Sequence, residues 1–285
     1  MRTLMETAQE LIAEAEATLT GEPILADGEL LTEENAGNPR AGMKIANPEP
    51  EAPGWYFIDR QREAIRIQLL LKSPSQDHIQ PVLRSLGKVK QAGLPAYEKT
   101  MVALDNLAAA APNCADFLEL IKSQIHLHHY TQATTPLRLM PTLLVGPPGV
   151  GKTYIVRQLA ECLGMYHDRI SLSNATESFV LSGCPKGYAT STPGEVAEKL
   201  AFSDIINPLL ILDELDKASY NRSERATVEG PLLTLLEPET ANRFEDASLR
   251  LTLDVSHVSW IGTANSVDGI PEPVLSRFLL VPVAP

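Results

Sequence analysis

Cysteine is scarce in this sequence, and its few copies lie far apart. The chain of 285 residues contains three cysteines, Cys114, Cys162 and Cys184. An odd number at wide spacing does not fit a disulfide framework, nor does it supply the closely spaced pairs of a structural zinc site. We therefore expect a protein that relies on an apolar core and works in a reducing compartment.

Long apolar runs are also missing. No stretch of the sequence approaches the roughly 18 apolar residues that a membrane-spanning helix requires. The N-terminal residues 1–17 are too acidic and polar for a secretory signal peptide. We expect a soluble, cytoplasmic protein with no role in a membrane.

Positive charge is in deficit. The chain has 24 lysines and arginines against 36 aspartates and glutamates, which gives a formal net charge of −12. This balance argues against strong, sequence-independent binding of nucleic acid by the whole surface, although a local basic patch would escape the average. Nucleic acid stays a possible partner that the composition does not favour.

One eight-residue segment carries the strongest functional signal. Residues 146–153 fit G-x-x-x-x-G-K-[ST], the pattern of a phosphate-binding P-loop. Its glycines allow a tight turn that aims backbone N–H groups at phosphate oxygens, at the positive end of the following helix. The predicted nucleotide-binding residues are Gly146, Pro147, Pro148, Gly149, Val150, Gly151, Lys152 and Thr153.

The flanking sequence has the context that a P-loop requires. Thr142–Val145 is a short apolar run typical of a buried parallel strand, and Tyr154–Leu163 has apolar residues at helical spacing. In such a loop, Lys152 is expected to contact the β- and γ-phosphates and Thr153 to ligate Mg²⁺. The segment therefore predicts a nucleoside triphosphate with Mg²⁺, the alternative being a Gly-Pro turn that binds nothing.

A second segment supplies acids that suit the same site. Residues 209–212 form a fully apolar run that predicts another buried strand, and Asp213 and Glu214 follow it directly. We expect Asp213 to belong to the Mg²⁺ site and Glu214 to polarise the attacking water. A solvated strand end with two acids is the plainer alternative, and the P-loop makes it the weaker one.

Several segments together resemble the AAA+ ATPase module of Lon-type proteases. The resemblance covers residues 113–285, and its motifs are specific in combination rather than singly. The segments that carry it are 146–153, 181–194 (LSGCPKGYATSTPG), 209–217 (LLILDELDK), 232–244 (LLTLLEPETANRF), 260–265 (WIGTAN) and 270–278 (IPEPVLSRF).

The resemblance implies a fold and an activity. The fold would be α/β, a P-loop NTPase core of the AAA+ type with a five-stranded parallel sheet in the order 5-1-4-3-2, preceded by a mainly helical N-terminal region. The activity would be Mg²⁺-dependent hydrolysis of ATP. The family further implies a homo-oligomeric, hexameric ring that unfolds or translocates a polypeptide substrate.

The resemblance also assigns roles to three further residues. Asn265 would sense the γ-phosphate and help to position water, Arg277 would act as an arginine finger on a neighbouring subunit's nucleotide, and Tyr188 would grip polypeptide in a central pore. Each has a plainer alternative. Asn265 could be a turn residue, Arg277 a surface arginine paired with a carboxylate, and Tyr188 a partly buried anchor in its loop.

The sequence departs from the family in two places. Lon-type modules carry a His-Tyr pair near the adenine pocket where this chain has residues 111–117 (APNCADF), so adenine specificity is less secure than phosphate binding. The chain ends directly after the expected fifth strand, without a helical lid, its second sensing arginine or a serine-lysine peptidase domain. We expect either a continuation of the chain or a partner that carries a lid or peptidase.

The region before the motifs is expected to be mainly helical. We expect three parts. Residues 1–54 contain an N-terminal helix (3–19) and an irregular linker, residues 55–112 form a helical N-terminal region, and residues 113–285 form the ATPase core. Expected helices are 59–72, 75–91, 95–110 and 113–129, with Asn113 as an N-cap. The histidines at 126, 128 and 129 are expected to be solvated or at an interface rather than to bind a metal.

Three function classes follow. The first is an ATPase that moves polypeptides. The second is a nucleotide-gated scaffold with little turnover, and the third is an AAA+ remodeller of nucleic-acid complexes.

Overall fold

The computed structural model describes most of the chain from residue 54 onward. The described residues are 54–59, 62–63, 66–67, 70, 79–93, 96–131, 135–173, 179–185, 192–220 and 227–285. The expected helix at residues 3–19 and the pore-loop candidate Tyr188 lie outside them, and both stay predictions.

Helices precede the sheet, largely where the sequence predicts them. They are α1 (Gln80–Leu86), α2 (Tyr97–Ala110) and α3 (Ala115–Tyr130), with a 3-10 turn at Pro112–Cys114 before α3. The described residues between 62 and 70 are helical as well. The expected helices 95–110 and 113–129 therefore match α2 and α3 within two residues.

The expected helix 75–91 is wrong at its C-terminal end. Helix α1 stops at Leu86, and Gly87 follows as its C-cap. The chain is then extended, because Lys90 forms an antiparallel bridge with Trp55 and Gln91 a parallel bridge with Ile205. These long-range pairings override the local helical pattern that the sequence offers.

The predicted N-cap at Asn113 is also wrong. Helix α3 has Cys114 at its N-cap position, and no side chain caps it. Asn113 instead lies in the preceding 3-10 turn, where its amide donates to the carbonyl oxygens of Val150 at 3.2 Å and Ala284 at 3.1 Å. The amide is used to connect this turn to the P-loop rather than to a helix end.

The remaining elements alternate along the chain. The strands are β1 (Thr142–Val145), β2 (His167–Ser171), β3 (Leu209–Asp213), β4 (Phe244–Asp246), β5 (Leu251–Leu253), β6 (Ser259–Ala264) and β7 (Leu279–Pro282). The helices are α4 (Lys152–Leu163), α5 (Phe179–Ser182), α6 (Glu195–Phe202), α7 (Glu229–Leu236), α8 (Pro238–Ala241) and α9 (Glu272–Leu275).

The main sheet has the predicted topology. Its five strands run in the order β2-β3-β6-β1-β7, and the paired neighbours are parallel. Counted as the five core strands of the prediction, this order is 5-1-4-3-2 read from the other edge. Strands β4 and β5 form a separate antiparallel pair.

Apolar cores cover the two faces of the sheet. Successive side chains of a strand point to opposite faces, so Leu210 and Leu212 of β3 enter one cluster while Leu209 and Ile211 enter the other. All residues of β3 and β6 are buried. Such continuous burial explains the uninterrupted apolar run at 209–212, because a central parallel strand is covered on both faces.

The topology brings three strand ends together. Strands β1, β3 and β6 are neighbours in a parallel sheet, so their carboxyl ends meet at one edge. The P-loop follows β1, Asp213 ends β3 with Glu214 directly after it, and Asn265 follows β6. This edge is where the sequence motifs converge.

Candidate active site

The P-loop connects β1 to α4 through glycines in the left-handed region. Gly149 has φ +83° and Gly151 φ +90°, and an added Cβ at either position would meet no atom within 4 Å. Both are needed for their backbone conformation, since other residues rarely adopt it. Helix α4 begins directly after Gly151, so its N-terminus faces the loop.

Lys152 is buried at the base of this loop. Its ammonium donates to three acceptors, namely Gly146 O at 2.6 Å, Pro147 O at 2.9 Å and Asn265 Oδ1 at 3.1 Å. Burial lowers the pKa of Lys152 from its ordinary value, and the nearby charges of Asp216 and Asp213 oppose that shift. Uncharged carbonyl and amide oxygens therefore hold the ammonium at the loop, and the two carboxylates lie near enough to favour its charged form.

Asp213 is the most heavily contacted acid of the site. Its Oδ1 accepts from the Thr153 hydroxyl at 3.0 Å and from the Thr263 hydroxyl. Its Oδ2 pairs with the guanidinium of Arg169 at 3.1 Å. The carboxylate thus links the end of β3 to the P-loop helix and to both neighbouring strands.

Glu214 has an unusual backbone conformation. It lies at φ 58° and ψ 48°, in the left-handed region that residues other than glycine seldom enter. Its N–H donates to Thr263 Oγ1 at 3.2 Å, and its carboxylate pairs with the Lys217 ammonium. Backbone strain of this kind is concentrated at functional sites, where surrounding contacts maintain it.

These residues line one pocket of about 340 Å³. A larger and more open groove of about 540 Å³ lies between α2 and α3, but it holds none of the motif residues, so the chemistry favours the smaller pocket. The smaller pocket is lined by Pro148, Gly149, Gly151, Lys152, Thr153, Tyr154, Asp213, Glu214, Asp216, Lys217, Thr263, Ala264 and Asn265.

The predicted loop residues Gly146, Pro147 and Val150 do not line this pocket, and neither does the predicted arginine finger. Arg277 follows α9, and its guanidinium pairs with Glu237 Oε2 at 3.0 Å and donates to Pro273 O at 2.7 Å. Within the single chain, this is the surface pair with a carboxylate that the sequence left open as an alternative. Tyr188 lies outside the residues that the structure describes, and its pore role stays a prediction.

Three site residues escape the sequence argument. Thr263 is the penultimate residue of β6, and Asp216 belongs to the 3-10 turn after β3, so both lie inside the segments that also carry Asn265 and Asp213. Arg169 lies on β2, where no local pattern marks it. It reaches Asp213 only because β2 pairs with β3, which is a property of the topology.

The histidine cluster contacts aromatic residues. The Tyr97 hydroxyl and His126 Nδ1 are 2.6 Å apart, and the rings of Tyr97 and His129 stack with centroids 4.0 Å apart.

Across the described part of the chain, no group of three His, Cys, Asp or Glu side chains is arranged to hold a metal ion. None of the helices in that part is both long and apolar enough to cross a bilayer.

Comparison with protein families matches the region built around this pocket. The family described as "ATPase family associated with various cellular activities (AAA)" matches residues 142–282. The match begins with β1 and ends with β7, so it contains the whole five-stranded sheet.

Individual relatives point in the same direction. The chain is 38% identical to the Lon protease of Clostridium beijerinckii over 50% of this chain and 18% of that protein. It is 35% identical to the Lon protease of Mycoplasma genitalium over 58% of this chain and 20% of the relative. The Lon protease of Bacillus thuringiensis is 26% identical over 86% of this chain and 35% of its own length. The chain therefore spans about a fifth to a third of these relatives.

Proposed function

We propose that this chain, in which residues 142–282 form an AAA+ ATPase module of the Lon type, hydrolyses ATP in a Mg²⁺-dependent cycle that drives the unfolding or translocation of polypeptides. The observation that carries this proposal is the convergence of Lys152, Thr153, Asp213, Glu214 and Asn265 on one pocket. The P-loop, the pair of acids and the asparagine after β6 come from separate parts of the sequence. Their convergence is therefore a result of the fold and not of proximity in the sequence.

In this proposal the P-loop holds the triphosphate. The N-terminus of α4 presents backbone N–H groups and a positive dipole end, which suit phosphate oxygens. Lys152 would exchange its present carbonyl partners for phosphate oxygens. Because the ammonium is already at the loop, little rearrangement is needed for it to reach the phosphates.

The donor set fits Mg²⁺. The Thr153 hydroxyl and the Asp213 carboxylate lie 3.0 Å apart, and both are hard oxygen ligands of the type that Mg²⁺ prefers. Asp216 Oδ1, in the same pocket, is buried without a hydrogen-bond partner among the described residues. We assign Thr153 and Asp213 as the residues that would hold the ion. Mg²⁺ would neutralise charge on the β- and γ-phosphates.

Glu214 and Asn265 would act on the attacking water. A carboxylate beside the pocket can accept a proton from water as the water attacks the γ-phosphorus, and an amide can fix the water's orientation. Glu214 now pairs with Lys217, so this pair must loosen for the carboxylate to accept the proton. Asn265 is in contact with Lys152, which couples the water site to the phosphate site.

Completion of the site would require a second subunit. Arg277 is absent from the residues that line the pocket of its own chain, and a guanidinium is well suited to stabilise charge on a transferred phosphoryl group. We propose that Arg277 serves the nucleotide of the next subunit in a homo-oligomeric ring, with six subunits as in the family resemblance. Tyr188 would contact the polypeptide in the central pore.

The N-terminal region would support this motor. Phe57, Ile58 and Leu83 are buried in the same apolar cluster as Leu210 and Trp260 of the sheet. We retain the division into residues 1–54, 55–112 and 113–285 as a proposal, with the cytoplasm as the place of action. A lid or peptidase function would be supplied by a partner or by a continuation of the chain.

The test is steady-state phosphate release by the purified chain. We expect release that requires Mg²⁺ and is stimulated by an unfolded model protein more than by DNA. Glu214→Gln should retain nucleotide binding while turnover falls by at least about a hundredfold, since it removes the proton acceptor. Glu245→Gln, on an exposed position of β4, is the matched control and should leave turnover unchanged.

Each contrary result has a defined meaning. Nucleotide binding without measurable release would favour the scaffold, and stimulation by DNA alone would favour the nucleic-acid remodeller. Full turnover in Glu214→Gln would refute the assignment of the water-activating acid.

A further inference from the structure

Both carboxylate oxygens of Asp213 accept hydrogen bonds from protein donors in this structure. Two hydroxyls occupy Oδ1, and the guanidinium of Arg169 occupies Oδ2. Oδ2 keeps a second lone pair for an ion, but an ion there would lie beside the positive charge of the guanidinium, and this repulsion favours movement of a donor when an ion binds. The three donors differ in how readily they can do so.

The two hydroxyls are fixed by their elements. Thr263 lies in the fully buried strand β6, and Thr153 lies in the first turn of α4. Both are neutral, so neither competes with a cation by charge. They orient the carboxylate and are compatible with a cation on its other oxygen.

Arg169 is different because it is charged and exposed. Its side chain is 58% exposed, whereas that of Asp213 is 10% exposed. Arg169 Nη1 lies 3.1 Å from Asp213 Oδ2. Exposed ion pairs are weak and exchange readily with water, so this guanidinium can withdraw at low cost.

The position of Arg169 is set by the strand register. Strand β2 pairs with β3 so that Arg169 lies opposite Ile211 and Ser171 opposite Asp213. The guanidinium must therefore extend along the sheet toward the carboxyl ends to reach Asp213. A long cationic side chain does this, and it adds one positive charge at the acid that is assigned to the metal.

We propose that Arg169 is a place-holding cation for the metal site. In the nucleotide-free protein it neutralises Asp213, and it leaves the carboxylate when Mg²⁺ enters with the nucleotide. Arg169 is then a positioning residue that acts through Asp213 and sets the Mg²⁺ concentration at which the site fills. This inference rests on the proposed function, since it requires Asp213 to hold the ion.

The test measures metal dependence by binding rather than by turnover. Binding of a fluorescent, non-hydrolysable ATP analogue is titrated with Mg²⁺ in the wild type, Arg169→Met and Arg157→Met. Arg157 is an exposed arginine of α4, so its loss changes the net charge equally. Arg169→Met should lower the half-saturating Mg²⁺ concentration about three- to fivefold, the strength of one exposed ion pair, and Arg157→Met should not.

A second measurement isolates the route through Asp213. In an Asp213→Asn background, replacing Arg169 by Met should no longer shift the Mg²⁺ requirement, because the competing pair is already gone. Arg169→Gln provides a further variant that keeps a polar side chain and removes the charge, and it should behave as Arg169→Met does.

The possible failures are separable. A half-saturating Mg²⁺ concentration that is unchanged in Arg169→Met, or that rises, would overturn the inference and leave the ATPase proposal standing. An unaltered Mg²⁺ requirement in Asp213→Asn alone would instead refute the metal assignment on which both depend.

Discussion

Gly146 and Gly149 belong to the same phosphate-binding loop, but the structure requires them for different reasons. At Gly149 the backbone has a positive φ, and there is open space where a side chain would lie. At Gly146 an added Cβ would lie 2.2 Å from the carbonyl oxygen of Val283. Gly149 is required because the backbone has a positive φ there, and Gly146 is required because the chain after β7 passes close to it.

The two glycines therefore respond differently to substitution. Gly146→Ala places a methyl group against the backbone of Val283, which cannot move away as a flexible side chain could. We therefore expect a loss of about 1–3 kcal/mol in the free energy of unfolding. Gly149→Ala incurs only backbone strain, about 1–2 kcal/mol. Urea denaturation of both variants measures these losses. An unchanged stability of Gly146→Ala would contradict the close approach of Val283.

The site residues separate into those that local sequence marks and those that only topology brings in. Lys152 and Asp213 follow from short patterns, since a strand, a glycine-rich turn and a helix are contiguous in the chain. Asn265 and the strand order required the family resemblance. Arg169 could not be predicted, because the expected strand order places β2 beside β3 but no sequence pattern gives the register and side-chain direction that bring the guanidinium to Asp213. The predicted helix 75–91 extends past the end of α1 for a similar reason, since the bridge between Lys90 and Trp55 joins residues that are far apart in the sequence.

At the scale of elements, Asp246 joins three segments of the chain. It ends β4, is fully buried, and accepts backbone N–H groups from Gly194 at 2.8 Å, Ser248 at 3.0 Å and Leu249 at 2.8 Å. Gly194 begins the segment that leads into α6, and Ser182 of α5 accepts from the N–H of Ala247. The carboxylate thus holds the hairpin of β4 and β5 to the start of α6, and the adjacent backbone bond of Ala247 holds it to α5.

Burial raises the pKa of Asp246 to about 6, although its three backbone donors act in the opposite direction. An acid whose pKa is higher in the folded state than in the unfolded chain stabilises the fold most at low pH, and this contribution is lost as pH rises toward the folded value. Relative to Asp246→Asn, the wild type should lose about 2–3 kcal/mol of unfolding free energy between pH 4 and pH 6.

Urea denaturation of both proteins across this pH range provides the measurement. The variant also changes the hydrogen bonds of the carboxylate, but that change is a constant offset, so the slope of the difference with pH is the informative quantity. A difference that does not vary with pH would show that Asp246 titrates at its ordinary value.

At the scale of the whole molecule, the groups that the proposed reaction requires lie in two different places on the chain. The pocket contains the groups for phosphates, ion and water, whereas Arg277 follows α9 and is held by Glu237. An arrangement in which one chain's arginine serves the next chain's pocket is heterologous, and a heterologous contact closes into a ring when its rotation permits. The proposal therefore predicts that activity belongs to interfaces rather than to single chains.

Mixing two inactive variants tests this prediction. Lys152→Met removes the phosphate site but retains Arg277, and Arg277→Ala does the reverse. If the arginine acts across an interface, mixed assemblies contain intact pockets beside intact arginines, and an equal mixture should recover about a quarter of the wild-type turnover. A mixture of Lys152→Met with Glu214→Gln is the control, because both changes damage the same pocket and no interface regains a complete set. Wild-type turnover by Arg277→Ala alone, or no recovery in mixed assemblies whose formation is verified by size, would place the site within one chain.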